Sequence, residues 1–249
     1  MTRDRFSSLG VGQNIKRAWL DATLDMVIAQ TPPEETRKRL FALVSGSETK
    51  EGLRGKESAK KVLSMLASWF APKEECLAVF AGQMLKVAQQ CLREERIALH
   101  WAILSATYPF FMEVSLVAGR LFGMQESIFR QQIQRRIEEM RGASSTIGRN
   151  LEYALWILCD LSLLRMGNAK GEYLRCDPLP IESRSVAAAL WKAILLATKG
   201  GSASISRLRA SPAFFAFSMP EPEESDFGEV FSDVEFSSGI GSDDMLTIA

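Results

Sequence analysis

The amino-acid sequence predicts a mainly α-helical fold: a compact multi-helix domain with a winged helix-turn-helix-like C-terminal half and a disordered acidic tail. Along most of the chain, apolar residues recur at three- and four-residue steps, which places them on one face of a helix. A glycine-containing stretch suited to a β-hairpin occurs only once. The end of the sequence is acidic and poor in residues that can be buried. We therefore divide the chain into residues 1–125, 126–217 and 218–249.

The composition is that of an ordinary globular protein, with 47% hydrophobic, 24% charged and 9% aromatic residues. These values exclude collagen, a disulfide-rich scaffold and a wholly disordered chain. The four cysteines are scattered, so we expect free thiols and a cytoplasmic location. The first residues lack the apolar stretch of a signal peptide. The longest uncharged run, residues 97–112, is too short to span a bilayer and is expected to lie in the core.

Six helices are predicted in the first half of the chain. The first covers residues 15–29 and ends at Thr31-Pro32-Pro33, a sequence that stops one helix and starts the next. Residues 45–58 are rich in Gly, Ser and charge and are expected to form a loop. Four apolar stripes follow, and Pro109 is expected to separate the last two. These stripes cover residues 59–70, 77–91, 97–108 and 110–122.

The second half of the chain predicts a different arrangement. An amphipathic helix over residues 126–141 leads through the connector Gly142-Ala143-Ser144-Ser145 into a long helix from Thr146 to Arg165. A small hairpin over residues 167–176 comes next, and a last helix covers residues 186–198. Helix, turn, helix and hairpin in this order resemble a winged helix-turn-helix. A plain pair of solvated amphipathic helices is the alternative interpretation.

The sequence lacks the side-chain patterns of known enzymes. The single histidine, His100, lies in an apolar helix and is expected to belong to the core, because a triad or a zinc site would need partners that cannot be assigned. The cysteine spacings fit no zinc motif, and Gly55-Lys56 lacks the earlier glycine of a phosphate-binding loop. We therefore expect no enzymatic activity, cofactor, metal or small-molecule substrate.

Surface charge is the remaining functional signal. Residues 219–249 hold nine acids and no Lys or Arg, which leaves a net charge of +9 on residues 1–218. In a helix-turn-helix protein one helix enters the major groove while Lys and Arg on adjoining elements neutralise phosphates. The sequence therefore predicts double-stranded DNA as a partner. The expected contacts are Arg130, Arg135, Arg136, Arg149, Asn150, Lys170 and Arg175.

Three segments together resemble the BrxA family, the small accessory proteins of BREX bacteriophage-exclusion systems. An apolar helix ends in Thr107-Tyr108-Pro109-Phe110 before a second apolar helix. Residues 58–63 are similar to the family's basic N-terminal helix, and residues 145–164 are similar to its helix before the hairpin. The resemblance extends over residues 10–200.

This resemblance implies a compact, helical, non-enzymatic protein that binds DNA and acts with other defence-system proteins. It adds Lys60 and Lys61, in the segment similar to the basic N-terminal helix, to the expected DNA contacts. The sequence departs from the family at Ile147-Gly148-Arg149, where the family carries a more strongly basic start of the helix. The acidic tail is a second departure.

The acidic tail leaves two interpretations open. Its spaced apolar residues, Phe227, Phe231, Phe236 and Leu246, are typical of a partner-binding motif, whereas a solvated tail without a partner would show the same composition. A flexible acidic tail would also compete with DNA phosphates for the basic body. The alternative function is a protein-protein interaction adaptor that makes no direct contact with nucleic acid.

Overall fold

The computed structural model describes residues 4–49, 52–228, 230–237 and 244–249. With 56% helix and 11% strand, it confirms the mainly α prediction. The helices are α1 (Arg17–Ile28), α2 (Pro33–Ser45), α3 (Lys56–Leu66), α4 (Glu75–Ala88), α5 (Arg96–Thr107), α6 (Pro109–Phe122), α7 (Arg130–Arg141), α8 (Ile147–Asp160), α9 (Arg184–Ala197) and α10 (Ile205–Arg209). The strands are β1 (Glu48–Thr49), β2 (Gly52–Leu53), β3 (Ser127–Phe129), β4 (Leu164–Met166), β5 (Glu172–Arg175), β6 (Leu179–Pro180), β7 (Ser202–Ser204), β8 (Phe217–Ser218), β9 (Val234–Ser237) and β10 (Met245–Ile248).

Helices α5 and α9 pack against each other at the centre of the core. Ten residues of α5 and eleven residues of α9 are buried, because both helices are apolar on nearly every face. The small side chains of four buried alanines in α9 permit close helix packing. One apolar cluster extends from Val11 to Leu246 and so crosses both of the domain boundaries expected from the sequence.

Pro109 separates α5 from α6, as the sequence predicts. The first helix ends at Thr107, and the second begins with the proline, which is tolerated in a first turn because its missing N–H would have no helical partner there. The helix direction bends by 117° between them, and both helices are largely buried. Within the described part of the chain, no single helix is long and apolar enough to cross a bilayer; α5 and α6 pass that test only as a bent pair.

Several boundaries in the second half of the chain differ from those expected. The helix predicted to reach Arg165 ends at Asp160, because Ser162 adopts a left-handed φ of 61° and the chain turns into β4. The segment from residue 126 begins as strand β3, and its helix starts only at Arg130. The described strands also exceed the single hairpin predicted, since short pairs form within the expected loop at residues 45–58 and near the C-terminal end.

A small antiparallel sheet joins the two helices of the second half. Strand β5 lies between β3 and β4, and its Tyr173 stands opposite both Ile128 and Met166. Ile128 and Tyr173 are buried, whereas Met166 is exposed. The chain order is therefore helix α6, strand β3, helices α7 and α8, and the hairpin β4–β5.

The expected disorder of the acidic tail is not confirmed. Among its described residues, Phe227, Phe231 and Leu246 are at most 2% exposed, and β10 pairs with both β7 and β9. The phenylalanines find apolar surface on the helical body; the rings of Phe231 and Phe80, for example, lie 6.4 Å apart. Residues 229 and 238–243 lie outside the described part of the chain.

A buried lysine joins the tail to the helical body. Lys192, in the middle of α9, is fully buried, and its Nζ donates to both carboxylate oxygens of Asp233 and to Oε1 of Gln83 at 2.7 Å. The ammonium also lies 5.6 Å from the ring centre of Phe231. Burial lowers the pKa of Lys192, although Asp233 opposes this effect. Partial burial would raise the pKa of Asp233, but the bonds from Lys192 and Gln83 outweigh it and leave the pKa lowered.

Three further ion pairs, made by two arginines, connect the tail to the body. Arg184 contacts Asp226 at 2.9 Å and Glu223 at 2.7 Å, and Arg209 contacts Glu221 at 3.0 Å. The described ion pairs of the tail therefore involve basic residues other than the predicted DNA contacts. The acids neutralise the body locally, and the phenylalanines between them complete its core.

We predict that Asp233→Asn destabilises the protein far more than loss of an exposed ion pair. The asparagine keeps the shape of the side chain but leaves the buried ammonium of Lys192 without a counter-charge, which should cost about 3 kcal/mol of unfolding free energy in urea denaturation. The matched control is Glu221→Gln, because both members of the Arg209–Glu221 pair are exposed and should contribute little. Equal small effects of the two substitutions would contradict this account.

A second prediction concerns the contact between α6 and the 3-10 helix Pro212–Phe214. A Cβ added to Gly119 would lie 1.8 Å from the carbonyl oxygen of Pro212, whereas one added to Gly82 in α4 would meet nothing within 4 Å. Gly119→Ala should therefore lower the unfolding free energy by about 1–3 kcal/mol. Gly82→Ala should raise it by about 0.5–1 kcal/mol, because alanine favours the helix. Urea denaturation of both variants decides whether this packing is correct.

Candidate nucleic-acid interface

Helices α7 and α8 pack against α6 through narrow apolar seams. Ile133 and Ile137 are the buried residues of α7, and α8 buries one face that begins at Ile147. Gly142, with a φ of 82°, ends α7 in a backbone conformation that favours glycine. The carboxylate of Asp160 accepts a hydrogen bond from the N–H of Arg17, which fixes the far end of α8 to the start of α1. The polar faces of both helices remain exposed.

Arg130 is the structural junction of this region. Its backbone N–H donates to the carbonyl of Gly171 in the hairpin turn at 2.8 Å. Its Nη2 donates to the carbonyl of Gly148 in the first turn of α8 at 2.9 Å. A Cβ at Gly148 would lie 3.0 Å from that same Nη2, so the glycine permits the close approach. One residue, through its backbone N–H and its side chain, thus fixes the start of α8 relative to the turn of the hairpin.

Arg149 and Lys170 flank the two carbonyls that Arg130 binds. Both side chains are exposed, and neither forms an ion pair with a described residue. Asn150 follows on α8 and donates from Nδ2 to the carbonyl of Thr146 at 2.9 Å, which supports the beginning of the helix. The structure therefore brings together four of the nine expected DNA contacts: Arg130, Arg149, Asn150 and Lys170.

The hairpin turn is held by Glu172. Its carboxylate accepts a hydrogen bond from the N–H of Ala169 at 3.0 Å, and this bond lowers the pKa of Glu172. Gly171 has a φ of 76°, as the tight turn requires. Lys170 therefore projects from an ordered turn. Sequence reasoning missed the role of Glu172, although the glycines at 167 and 171 marked the turn itself.

The other five expected contacts lie elsewhere. Arg135 and Arg136 occupy the exposed face of α7, where both approach Glu139, at 3.7 and 3.4 Å. Arg175 stands opposite Leu164, at the end of the hairpin away from its turn. Lys60 and Lys61 are exposed on α3, which packs against α2. Lys60 is also paired with Glu57 at 2.7 Å.

His100 belongs to the core, as expected from its sequence context. It is fully buried, its Nε2 lies 2.9 Å from Oδ1 of Asp21, and Trp69 meets it edge to face at 5.5 Å. Burial lowers the pKa of His100, and the bond to Asp21 offsets only part of that effect. Asp21 of α1 and Trp69 of the 3-10 helix that follows α3 cover the imidazole, which has no exposed surface. Asp21 as its partner could not be read from the sequence.

The remaining reactive groups form no cluster. Across the described residues, no group of three or more His, Cys, Asp or Glu side chains could hold a metal ion. All four cysteines are free thiols. Burial raises the pKa of the Cys159 thiol to about 12, which keeps it in the poorly nucleophilic protonated form at neutral pH.

Comparison with known proteins adds no further guide to function. No family model, curated protein or solved structure matches the chain. The resemblance to the BrxA family therefore stays a prediction from the sequence. The exposed side chains around Arg130 and the order of the elements that hold them carry the functional argument.

We predict that His100 makes stability depend on pH in the mildly acidic range. Since its pKa is lowered in the folded protein, the unfolded chain takes up a proton first as the pH falls below about 6.5, and the unfolding free energy should decrease. This is the only histidine in the chain, so His100→Gln should flatten the pH dependence between about pH 7 and pH 5. Urea denaturation across this pH range measures the unfolding free energy. An unchanged slope of that free energy against pH in His100→Gln would show that His100 titrates normally.

Proposed function

We propose that residues 109–175 form a winged helix-turn-helix unit that binds double-stranded DNA. The order of helix, strand, two helices and hairpin supports this proposal, as does the sheet order β3-β5-β4, which sets the hairpin beside α8. In such a unit the second helix of the pair lies in the major groove and its first residues approach the base edges. The hairpin then reaches the neighbouring sugar-phosphate backbone as a wing.

The contact of Arg130 with both Gly148 and Gly171 is the observation that carries this proposal. It holds the start of α8 and the turn of the hairpin at a fixed separation, as simultaneous contact with a groove and its border would require. Arg149 and Asn150 are suited to hydrogen bonds at the groove. Lys170 is suited to a phosphate, because a cation on the wing releases counterions from the DNA backbone.

The length of α8 is compatible with this role. Its 14 residues correspond to about 21 Å of helix, shorter than the helix that the sequence predicted. Arg130 acts mainly as a positioning residue, because its side chain is already bound to the carbonyl of Gly148. Arg135, Arg136 and Arg175 contribute at most to the surrounding positive potential. Lys60 and Lys61 belong to a separate surface.

We further propose that the protein is a non-enzymatic accessory component of a BREX-type phage-defence system in the cytoplasm. The resemblance to the BrxA family supports this proposal. Its test is biological: deleting the gene from a strain that carries a complete system should reduce protection in a phage plaque assay, and a copy with Arg149→Gln and Lys170→Gln should fail to restore protection. Full restoration by this copy would show that protection does not require the proposed DNA contacts of Arg149 and Lys170.

A protein-protein adaptor is the alternative function, and the exposed methionines favour it. Met124 is 70% exposed and Met166 on β4 is 74% exposed, and flexible methionines are common on protein-binding surfaces. The phenylalanines of the tail no longer support this alternative, because Phe227 and Phe231 are buried in the protein's own core.

We predict that Arg149→Gln combined with Lys170→Gln weakens DNA binding at low salt by about tenfold or more. The slope of log affinity against log salt concentration should become shallower by about 2, since each lost phosphate contact removes about 0.9. Fluorescence anisotropy with a labelled duplex, repeated at several salt concentrations, measures both quantities.

The matched control for this prediction is Lys60→Gln combined with Lys61→Gln, which removes the same charge from α3. It should change affinity and slope much less. Equal effects of the two double variants would show that overall charge, and not the α8–wing surface, determines binding. Failure of the unaltered protein to bind duplex DNA at low salt would contradict the proposed function. The protein-protein adaptor would then be the remaining interpretation.

A further inference from the structure

A hollow of about 900 Å³ opens between the end of α6, the end of β5 and residues 209–221. It lies at the opposite end of the hairpin from the wing tip. The 3-10 helix Pro212–Phe214 forms one side and is held close to α6 by the contact of Pro212 with Gly119. Concave sites of this size between packed units are typical places for small-molecule binding.

The walls of the hollow are aromatic and fixed. Trp191 and Phe214 meet edge to face with 4.7 Å between ring centres, and Phe122 lies 5.3 Å from Phe215. Trp191, Phe214 and Phe217 are each less than 10% exposed. These rings are held by their neighbours, so the hollow offers flat apolar surface at little cost in side-chain entropy.

The polar groups around the hollow are mostly donors. Arg120 and Arg175 line it and are exposed, and neither forms an ion pair with a described residue. Arg209 is paired with Glu221 at the same rim. Trp191 also lines the hollow, and its buried Nε1 has no hydrogen-bond partner among the described residues. This nitrogen is sealed from solvent, so a ligand in the hollow would be recognised by the exposed guanidinium groups of Arg120 and Arg175.

We propose that this hollow binds a small amphipathic anion: a planar apolar or aromatic body carrying one carboxylate or phosphate group. The body packs against the aromatic walls, and the anionic group is held by Arg120 and Arg175, whose guanidinium groups match the geometry of both anions. This site does not depend on DNA binding.

The test uses the full-length protein and two dyes with the same ring system. The anionic probe is 1-anilinonaphthalene-8-sulfonate, and the neutral probe is N-phenyl-1-naphthylamine. Fluorescence titration should show saturable binding of the anionic probe that is at least about tenfold tighter than that of the neutral probe, because only the sulfonate can use the arginines. Equal binding of both probes would overturn the proposal.

Variants locate the bound probe. Arg120→Gln combined with Arg175→Gln should weaken the anionic probe about tenfold and leave the neutral probe unchanged. Trp191→Phe should weaken the anionic probe severalfold. The matched controls are Arg93→Gln, an exposed arginine that does not line the hollow, and Trp156→Phe on α8. Equal effects of test and control variants would overturn the proposal, and thermal unfolding curves show whether each variant is folded.

Competition identifies the anionic group without any substitution. Excess 1-naphthoate and 1-naphthyl phosphate are each titrated against the bound anionic probe, and naphthalene serves as the uncharged control. Displacement by either anion but not by naphthalene supports the proposal, and the stronger competitor assigns a carboxylate or a phosphate ligand. Failure of both anions to displace the probe, or equal displacement by naphthalene, would overturn it.

Discussion

The buried ammonium group of Lys192 is the constraint on which the arrangement of the last part of the chain depends. A charge at the centre of α9 needs an anion close by, and the helical body offers only the amide of Gln83 among its described contacts. Asp233 supplies that anion and brings Phe231 onto Phe80. The acidic segment thereby becomes part of the core, and its strands close the sheet β7-β10-β9.

Three regions can be distinguished in this arrangement, and residues 219–221 at the start of the tail border the second of them. The tail lies over α4 and α9, the aromatic hollow opens beside α6, and the proposed DNA surface lies at the start of α8 and the tip of the hairpin. Four acids of the tail, Glu221, Glu223, Asp226 and Asp233, are paired with Arg184, Lys192 and Arg209. A tail that competes with DNA for the basic surface, as the charge distribution alone suggested, would first have to leave these partners.

Local patterns predicted the helices well, because apolar spacing and prolines such as Pro109 determine where helices run and break. Short-range patterns failed where a few residues determine the boundary of an element. The three residues of β3 are too few to show alternation of apolar and polar side chains. The left-handed Ser162 ends α8 within an otherwise continuous apolar stripe. The predicted disorder of the tail is not confirmed, because the sequence shows its spaced phenylalanines but not the apolar surface of the body on which they are buried. The basic residues could be listed from the sequence. The contact of Arg130 with two backbone carbonyls corresponds to no sequence pattern, so only the structure shows which of the basic residues lie together.

The strand order β7-β10-β9 also has a consequence for biosynthesis. The middle strand follows both outer strands in the chain, so a ribosome delivers β7 and β9 before the strand that joins them. At about 5–20 residues per second, the nascent protein carries unpaired strand edges and an incompletely covered α9 for a few seconds. Exposed edges of this kind invite pairing with other chains. Production in cells should therefore benefit from chaperones that hold the nascent chain until β10 pairs with both β7 and β9.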